Sequence, residues 1–280
     1  MILACTGLVS RIAGFFYRIF LSHAIGAEGL GLYQLILPLQ GLMAALSYAG
    51  IQSALSRMIA ARLALQEKKE ARFSLVTGIL AAVFFSAVIG FLLFQYADFF
   101  ASIILKAPGT SGLLRLSAVS IPLCAVHSCI NSYYYARKKA SVPAVVQLTE
   151  QAVRIGATYI LYLIFLSENR PVTALIAAGG SLAGEAAASL VSLLVVSFHF
   201  RNHPVKAQNP VKVFPLIKDL FALSFPIALN RILLTLLGSI EAVLIPQMLL
   251  RFGMDSSEAL KIYGIFTGMA LPLLLFPSTL

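Results

Sequence analysis

The sequence predicts an all-α integral membrane protein, a multi-pass helical bundle of about eight spans. Three observations carry this. Hydrophobic residues make up 59% of the 280 residues and charged residues only 11%, with a mean hydropathy of +0.90. Soluble domains sit at roughly 45–50% apolar and about 25% charged. The apolar residues gather in runs long enough to cross about 30 Å of hydrocarbon at about 1.5 Å per residue. The cations fall in alternate connections between those runs.

The apolar segments lie at 2–24, 32–60, 74–96, 112–136, 143–166, 172–198, 221–249 and 262–280. The first has no basic stretch before it, and Arg11 and Arg18 interrupt its apolar run, so it reads as a retained span and not a cleavable signal peptide. The second ends before Arg62, Lys68, Lys69 and Arg72, and the fourth before Arg137, Lys138 and Lys139. The fifth carries a polar stripe of Gln147, Glu150, Gln151, Arg154 and Thr158. The sixth sets Glu185 behind Gly179, Gly180 and Gly184, and the seventh places Pro226 ahead of Asn230 and Arg231. The eighth runs into the carboxy terminus with no flanking anchor, so the chain is expected to be the front part of a longer protein.

Eleven Lys and Arg residues follow the even-numbered spans (Arg201, Lys206, Lys212 and Lys218 complete the set), against Lys106, Arg170, Arg251 and Lys261 on the opposite side. The positive-inside rule then predicts a multi-pass protein of the cell membrane with a cytoplasmic amino terminus. The net charge of +10 is thus mainly a topology signal. No folded basic face with aromatic platforms is evident, so no nucleic-acid partner is expected. The Pro- and Lys-rich stretch 199–219 reads as a basic cytoplasmic linker. It would divide a six-helix lobe, 1–198, from the first two helices of a second lobe, 220–280. EGLGLY (28–33) and EALKIY (258–263) share their pattern at an offset of 230 residues, as parallel repeats would.

Charge inside the spans points to function. A cation near the bilayer centre costs about 2.5–3.5 kcal/mol on insertion scales. Arg11 and Arg18 are seven residues apart and lie within about 20° of each other around a helix, on a stripe with Gly7, Gly14 and Ser22. Such a side should face protein or a wet cavity. Four in-span arginines (11, 18, 154, 231) exceed three deep carboxylates (150, 185, 241). That surplus fits a cavity for an anion, and the guanidinium fork suits phosphate. Glu150 and Arg154 stand at i, i+4 in the favourable order and predict an intrahelical pair. Asn230 and Glu241 share a face of the seventh span. The competing reading makes these charges interhelical glue, with Glu185 or Glu241 neutralising an arginine.

Cys124, His127 and Cys129, at i, i+3 and i+5, do not converge on one point of a single helix, so no metal site is predicted. Gly-rich phosphate loops, HExxH and GxSxG are missing from the sequence, and neither a cofactor nor enzyme chemistry is expected.

GIQSALSRMIA (50–60) resembles the Gly-Ile-Pro-x-Ala-Ile-Ser-Arg/Lys signature of polysaccharide-export proteins in the multidrug/oligosaccharidyl-lipid/polysaccharide exporter superfamily, with Gln52 in place of the proline. SRIAGFFYR and IGAEGLGLYQ (within 10–34) are similar to that family's first span and the loop after it. SFPIALNRILLTLLGSIEAVLIPQML (224–249) and IYGIFTGMALPLLLFPSTL (262–280) are similar to its sporulation branch. The resemblance implies a two-lobed bundle of about fourteen helices around a central cavity, of which this chain would supply about eight. It implies flipping of undecaprenyl-linked glycan precursors by alternating access, with lipid II for the spore cortex as the sporulation-branch cargo. The lipid II flippase places first- and second-span arginines against the pyrophosphate. Arg11 matches its Ser-Arg-x-x-Gly motif, and Arg18 and Arg57 are carried over beside it. Arg231 joins them as a cavity cation, and Glu150, Arg154, Glu185, Asn230 and Glu241 are the expected cavity polar or ion-coupling residues. The expected partners are a lipid-linked oligosaccharide, the phospholipid bilayer and cell-wall synthesis proteins. The alternatives are a cation-coupled drug antiporter, which would favour carboxylates at its cavity, and a non-transporting scaffold of a cell-wall complex. A membrane glycosyltransferase would need an acidic DxD-type motif.

Overall fold

The computed structural model describes residues 2–204 and 213–275, and these are helical almost throughout, with no strand among them. Lys206 and Lys212 of the predicted linker, and the last five residues of the eighth segment, lie outside the described residues. Helix α1 spans Ile2–Ala44 and continues through a π turn, Ala45–Ala49, into α2, Gly50–Ala64. Next come α3 (Lys68–Gln95), the short α4 (Ala97–Phe99), α5 (Ser111–Ala136), α6 (Ser141–Ser167) and α7 (Leu175–Asn202). Helices α8 (Val213–Arg251), α9 (Ser256–Ile265) and α10 (Leu271–Leu275) complete the chain.

Each predicted apolar segment is helical over most of its described residues, but the boundaries differ: the helix of the sixth segment starts at Leu175, not 172. No loop separates the first two segments. The apolar run Cys5–Ala64 has 60 residues, and a straight helix of that length would measure about 90 Å, some three times the hydrocarbon thickness. The helix breaks instead at one residue, Gly26, at φ 70° and ψ 174°. That conformation is closed to side chains with a Cβ. A second irregularity, the π turn, precedes Gln52, the position where the resembling signature carries proline. There the Ser47 hydroxyl donates to the Met43 carbonyl at 2.7 Å. Five stretches are long and apolar enough to cross a membrane by length and hydropathy alone. Helix α6 is not among them, and it carries the polar stripe.

The connections sort to two ends. At the basic end Arg62 pairs with Glu70 at 2.6 Å, Glu67 at 3.1 Å and Asp219 at 3.5 Å, tying α2 to α3 and α8. Nearby, Arg72 lies 4.5 Å over the Phe200 ring, and Arg137 donates to His199, binding the ends of α3 and α5 to that of α7. At the far end Arg115 meets Asp98 at 2.8 Å, Lys106 reaches Gln247 at 3.2 Å, and Ser257 donates to Glu28 at 2.6 Å. Between the ends, one apolar core gathers Leu55, Ile59, Leu75 and Ile130, and another gathers Leu35, Ile36, Leu113 and Ile121. Leu80, Phe84 and Phe91 of α3 point outward, as an apolar surface against lipid requires.

The closest helix pairs are α3 with α5, α6 with α7, and α5 with α7. Small residues allow this. A Cβ on Gly184 would sit 2.9 Å from the Glu150 carbonyl oxygen, and one on Gly180 would sit 2.8 Å from that of Arg154. Backbone contact of this kind is how membrane helices approach without a hydrophobic drive between them. Helix α8 packs along α1 and α2, and α9 packs on α1 just past the break. The repeated segments therefore meet each other. A Cβ on Gly31 would fall on the Leu260 carbonyl oxygen, and one on Gly264 would reach the Gly31 backbone.

Candidate functional site

The polar centre of the bundle lies where α5, α6 and α7 converge. Arg154 pairs with Glu150 one turn earlier on α6, as the i, i+4 spacing predicts. It also reaches Glu185 of α7 at 3.6 Å and donates to Gln151 Oε1 at 3.4 Å. The other Glu185 oxygen accepts from His127 Nε2 of α5 at 2.7 Å. Side-chain exposures of 12–21% place all four groups just below the bundle surface. The glycine contacts of α7 explain the meeting, because Gly180 and Gly184 bring its backbone against the turn of α6 that carries Arg154. Helix α1 joins through Tyr17, whose hydroxyl lies 3.0 Å from Thr158 Oγ1, while Thr158 donates to the Arg154 carbonyl at 2.8 Å. Tyr33 and Ser181 meet at 2.9 Å.

Cys124, His127 and Cys129 do not converge. The Cys129 thiol is 4.0 Å from the Gly78 carbonyl oxygen, on the α3 side. Cys124 and His127 instead meet Glu185, and the donor atoms of these three lie within 4.8 Å of one another. The i, i+3 spacing of Cys124 and His127 was readable from the sequence, but their partner from α7 was not.

The other predicted residues are distributed differently. Arg11 is exposed on the first limb of α1 and Arg18 is half-buried there. A Cβ on Gly14 would lie 3.9 Å from Gln151 Nε2, so this stretch of α1 faces the polar stripe of α6. Arg57 is exposed on α2, and Arg231 and Asn230 are exposed on α8. Glu241 lines an open recess with Gln34, Pro38, Tyr263 and Thr267. Arg62, Arg115, His127, Arg154 and Arg170 take part in ion pairs, and Arg18, Arg57 and Arg231 face no carboxylate within 4 Å among the described residues. The interhelical neutralisation considered for Glu185 falls to Arg154, with a hydrogen bond to His127 beside it, and not to Arg18.

The family model described as polysaccharide biosynthesis protein matches residues 1–280. The chain belongs to the polysaccharide biosynthesis protein family. Within it, the chain is 28% identical over 287 residues to stage V sporulation protein B of Bacillus subtilis (strain 168), covering 99% of this chain and 54% of that protein. It is 25% identical over 274 residues to the uncharacterized membrane protein YabM of the same organism, covering 95% of this chain and 49% of that protein. The family member described here thus spans about half the length of the curated relatives it matches. Among solved structures, "protein A" superposes with a TM-score of 0.64 at 18% identity, over 98% of this chain and 60% of that one. An inward-facing conformation of a multidrug resistance MATE family transporter of the MOP superfamily superposes with a TM-score of 0.53 at 16% identity, over 97% and 61%. At these identities the likeness is one of fold, that of a multi-pass membrane bundle.

Proposed function

We propose that this chain forms the front half of a flippase. It would move an undecaprenyl-linked glycan precursor of the lipid II class across the cytoplasmic membrane by alternating access, with residues 1–198 as one lobe and 220–280 opening the second. The observation that carries this reading is the imbalance of charge within the spans. Glu150 and Glu185 are engaged by Arg154 and His127, while Arg18, Arg57 and Arg231 have no carboxylate beside them. Cations placed so in apolar segments call for an anion from outside the protein, and a pyrophosphate meets two guanidinium forks at once. Arg11 lies on the same face of α1 as Arg18, and its Ser-Arg-x-x-Gly motif, not its surroundings, adds it to the proposed cargo-binding cations. The match along the whole chain to the polysaccharide biosynthesis family and the likeness to stage V sporulation protein B support a lipid-linked glycan as cargo and a role in spore cell-wall synthesis. The basic end is assigned to the cytoplasm, which puts the amino terminus there too. Cell-wall synthesis proteins would be its protein partners. A drug antiporter would need free carboxylates for a cationic cargo, and the two deepest here are taken.

Flipping measured in vesicles, normalised to membrane content, tests the reading in the whole protein. A charge-assisted hydrogen bond contributes about 1.5–3 kcal/mol, so Arg18→Ala and Arg57→Ala should each weaken cargo binding roughly tenfold to a hundredfold. Arg18→Lys keeps the charge but loses the fork and should fall between. Full flipping by the Arg11→Ala, Arg18→Ala double variant would refute the anion cavity.

A further inference from the structure

We propose that Cys124, His127 and Glu185 form a binding site for a borderline-soft divalent metal ion of the Zn²⁺ class, separate from the cargo-binding arginines. The donor atoms come from two helices and lie within 4.8 Å of one another. Two of them, at i, i+3 on α5, share one face, and the third is set by the register of α7. That register is pinned one turn away, where the Ser189 hydroxyl donates to the Leu123 carbonyl at 2.5 Å. Gathering three such donors onto one ion at about 2.0–2.3 Å asks for a contraction of roughly an ångström, within reach of side-chain rotation.

The histidine supplies the second observation. Its Nε2 donates to Glu185, and its buried Nδ1 makes no hydrogen bond among the described residues. That nitrogen is a buried polar atom without a protein partner among the described residues, at a cluster that already holds a thiol and a carboxylate. Imidazole, thiol and carboxylate together are a donor set for Zn²⁺, not for a hard alkali or alkaline-earth cation.

The charges agree. Glu150 (−1), Arg154 (+1) and Glu185 (−1) sum to −1, and a Cys124 thiolate makes −2, which one divalent ion balances to zero. On binding, the Cys124 S–H bond breaks and an S–metal bond forms, with the proton released to solvent. The Arg154–Glu150 pair remains as a neutral support behind Glu185, the role an outer shell plays at metal sites. The side chains of His127 and Glu185 keep 12% and 13% exposure, so an ion can enter and a water can complete its coordination.

Co²⁺ titrated into the purified chain in detergent tests this without reference to flipping, so the failure of either idea would show by itself. The expected result is a thiolate-to-cobalt charge-transfer band in the near ultraviolet, saturating at one equivalent and displaced by Zn²⁺. Cys124→Ser, nearly the same size, should abolish the band. His127→Gln and Glu185→Gln should weaken Co²⁺ binding tenfold to a hundredfold, and Cys129→Ser and Cys5→Ser should leave it unchanged. Absence of the band in the unmodified chain, or its persistence in Cys124→Ser, would overturn the proposal.

Discussion

Arg154 is the arginine of the polar centre and touches two carboxylates, one on its own helix and one on α7. Removing one partner of a buried charge network costs about 3–5 kcal/mol, because the carboxylates are left facing each other. Arg154→Ala should therefore lower the unfolding temperature in detergent and the amount accumulating in the membrane. The Arg154→Ala, Glu150→Gln double variant removes one stranded charge and should recover most of the loss. A double variant no more stable than the single one would show that Glu150 is not the strained partner. Half of this network was legible in the sequence. The Glu150–Arg154 pair follows from helical spacing alone, but Glu185 and His127 join it through helix packing, which a one-dimensional pattern does not carry. The same holds for Tyr17 with Thr158, 141 positions apart. The arginines picked out at the start are in-span by hydropathy, and that much could be read. Which of them lack a carboxylate became visible only once Glu150 and Glu185 were seen to meet Arg154 and His127.

At the scale of the element, the first 64 residues show where pattern reading ends. Hydropathy separates two apolar segments and predicts a connection between 24 and 32. The chain needs only Gly26, because a single residue of positive φ redirects a helix without a loop. Gly26→Ala forces a Cβ into a region that only glycine occupies freely, at a cost of about 1–3 kcal/mol. Gly7→Ala, where a Cβ would meet nothing within 4 Å, is the control and should be neutral or slightly stabilising. Thermal unfolding of the two variants side by side reads the difference, and equal unfolding temperatures would mean that the break moves elsewhere. The π turn at 45–49 has no sequence signal that we recognise.

For the molecule as a whole, charge placement was the most legible feature. Of the cations counted into alternate connections, Arg62, Arg72 and Arg137 clamp helix termini at one end of the described bundle. Arg115, which hydropathy assigns to the fourth segment, adds to the opposite end beside Asp98. Single cysteines at Lys138 and Asn169, in a background lacking the native three, test the orientation in intact cells. An impermeant maleimide should label Asn169→Cys and spare Lys138→Cys. The reverse pattern would invert the assignment of the cytoplasmic face. The contact of the two repeated segments, 28–33 and 258–263, with Ser257 and Gly264 at its edges, is a property of the whole fold. Their similarity was visible in the sequence, but their touching was not.

That contact is backbone against backbone, with glycines at the crossing and a single Ser257–Glu28 hydrogen bond above it. Apart from that one side-chain tie the seam is backbone packing, so a rotamer change alone does little to part it, and it yields when the two limbs swing apart as stiff bodies. It is also easily wedged. One methyl group at Gly264 takes space that the partner backbone fills, and Gly264→Ala should therefore prop the far-end doorway ajar while leaving every arginine in place. Cysteines introduced at Glu28 and Ser257 would do the opposite and lock that doorway under oxidation. In the whole protein, faster maleimide entry from the outside in the first variant, with flipping halted and then restored by reductant in the second, is the expected pair of results. If neither variant changed access, motion between the two limbs would have no part in transport.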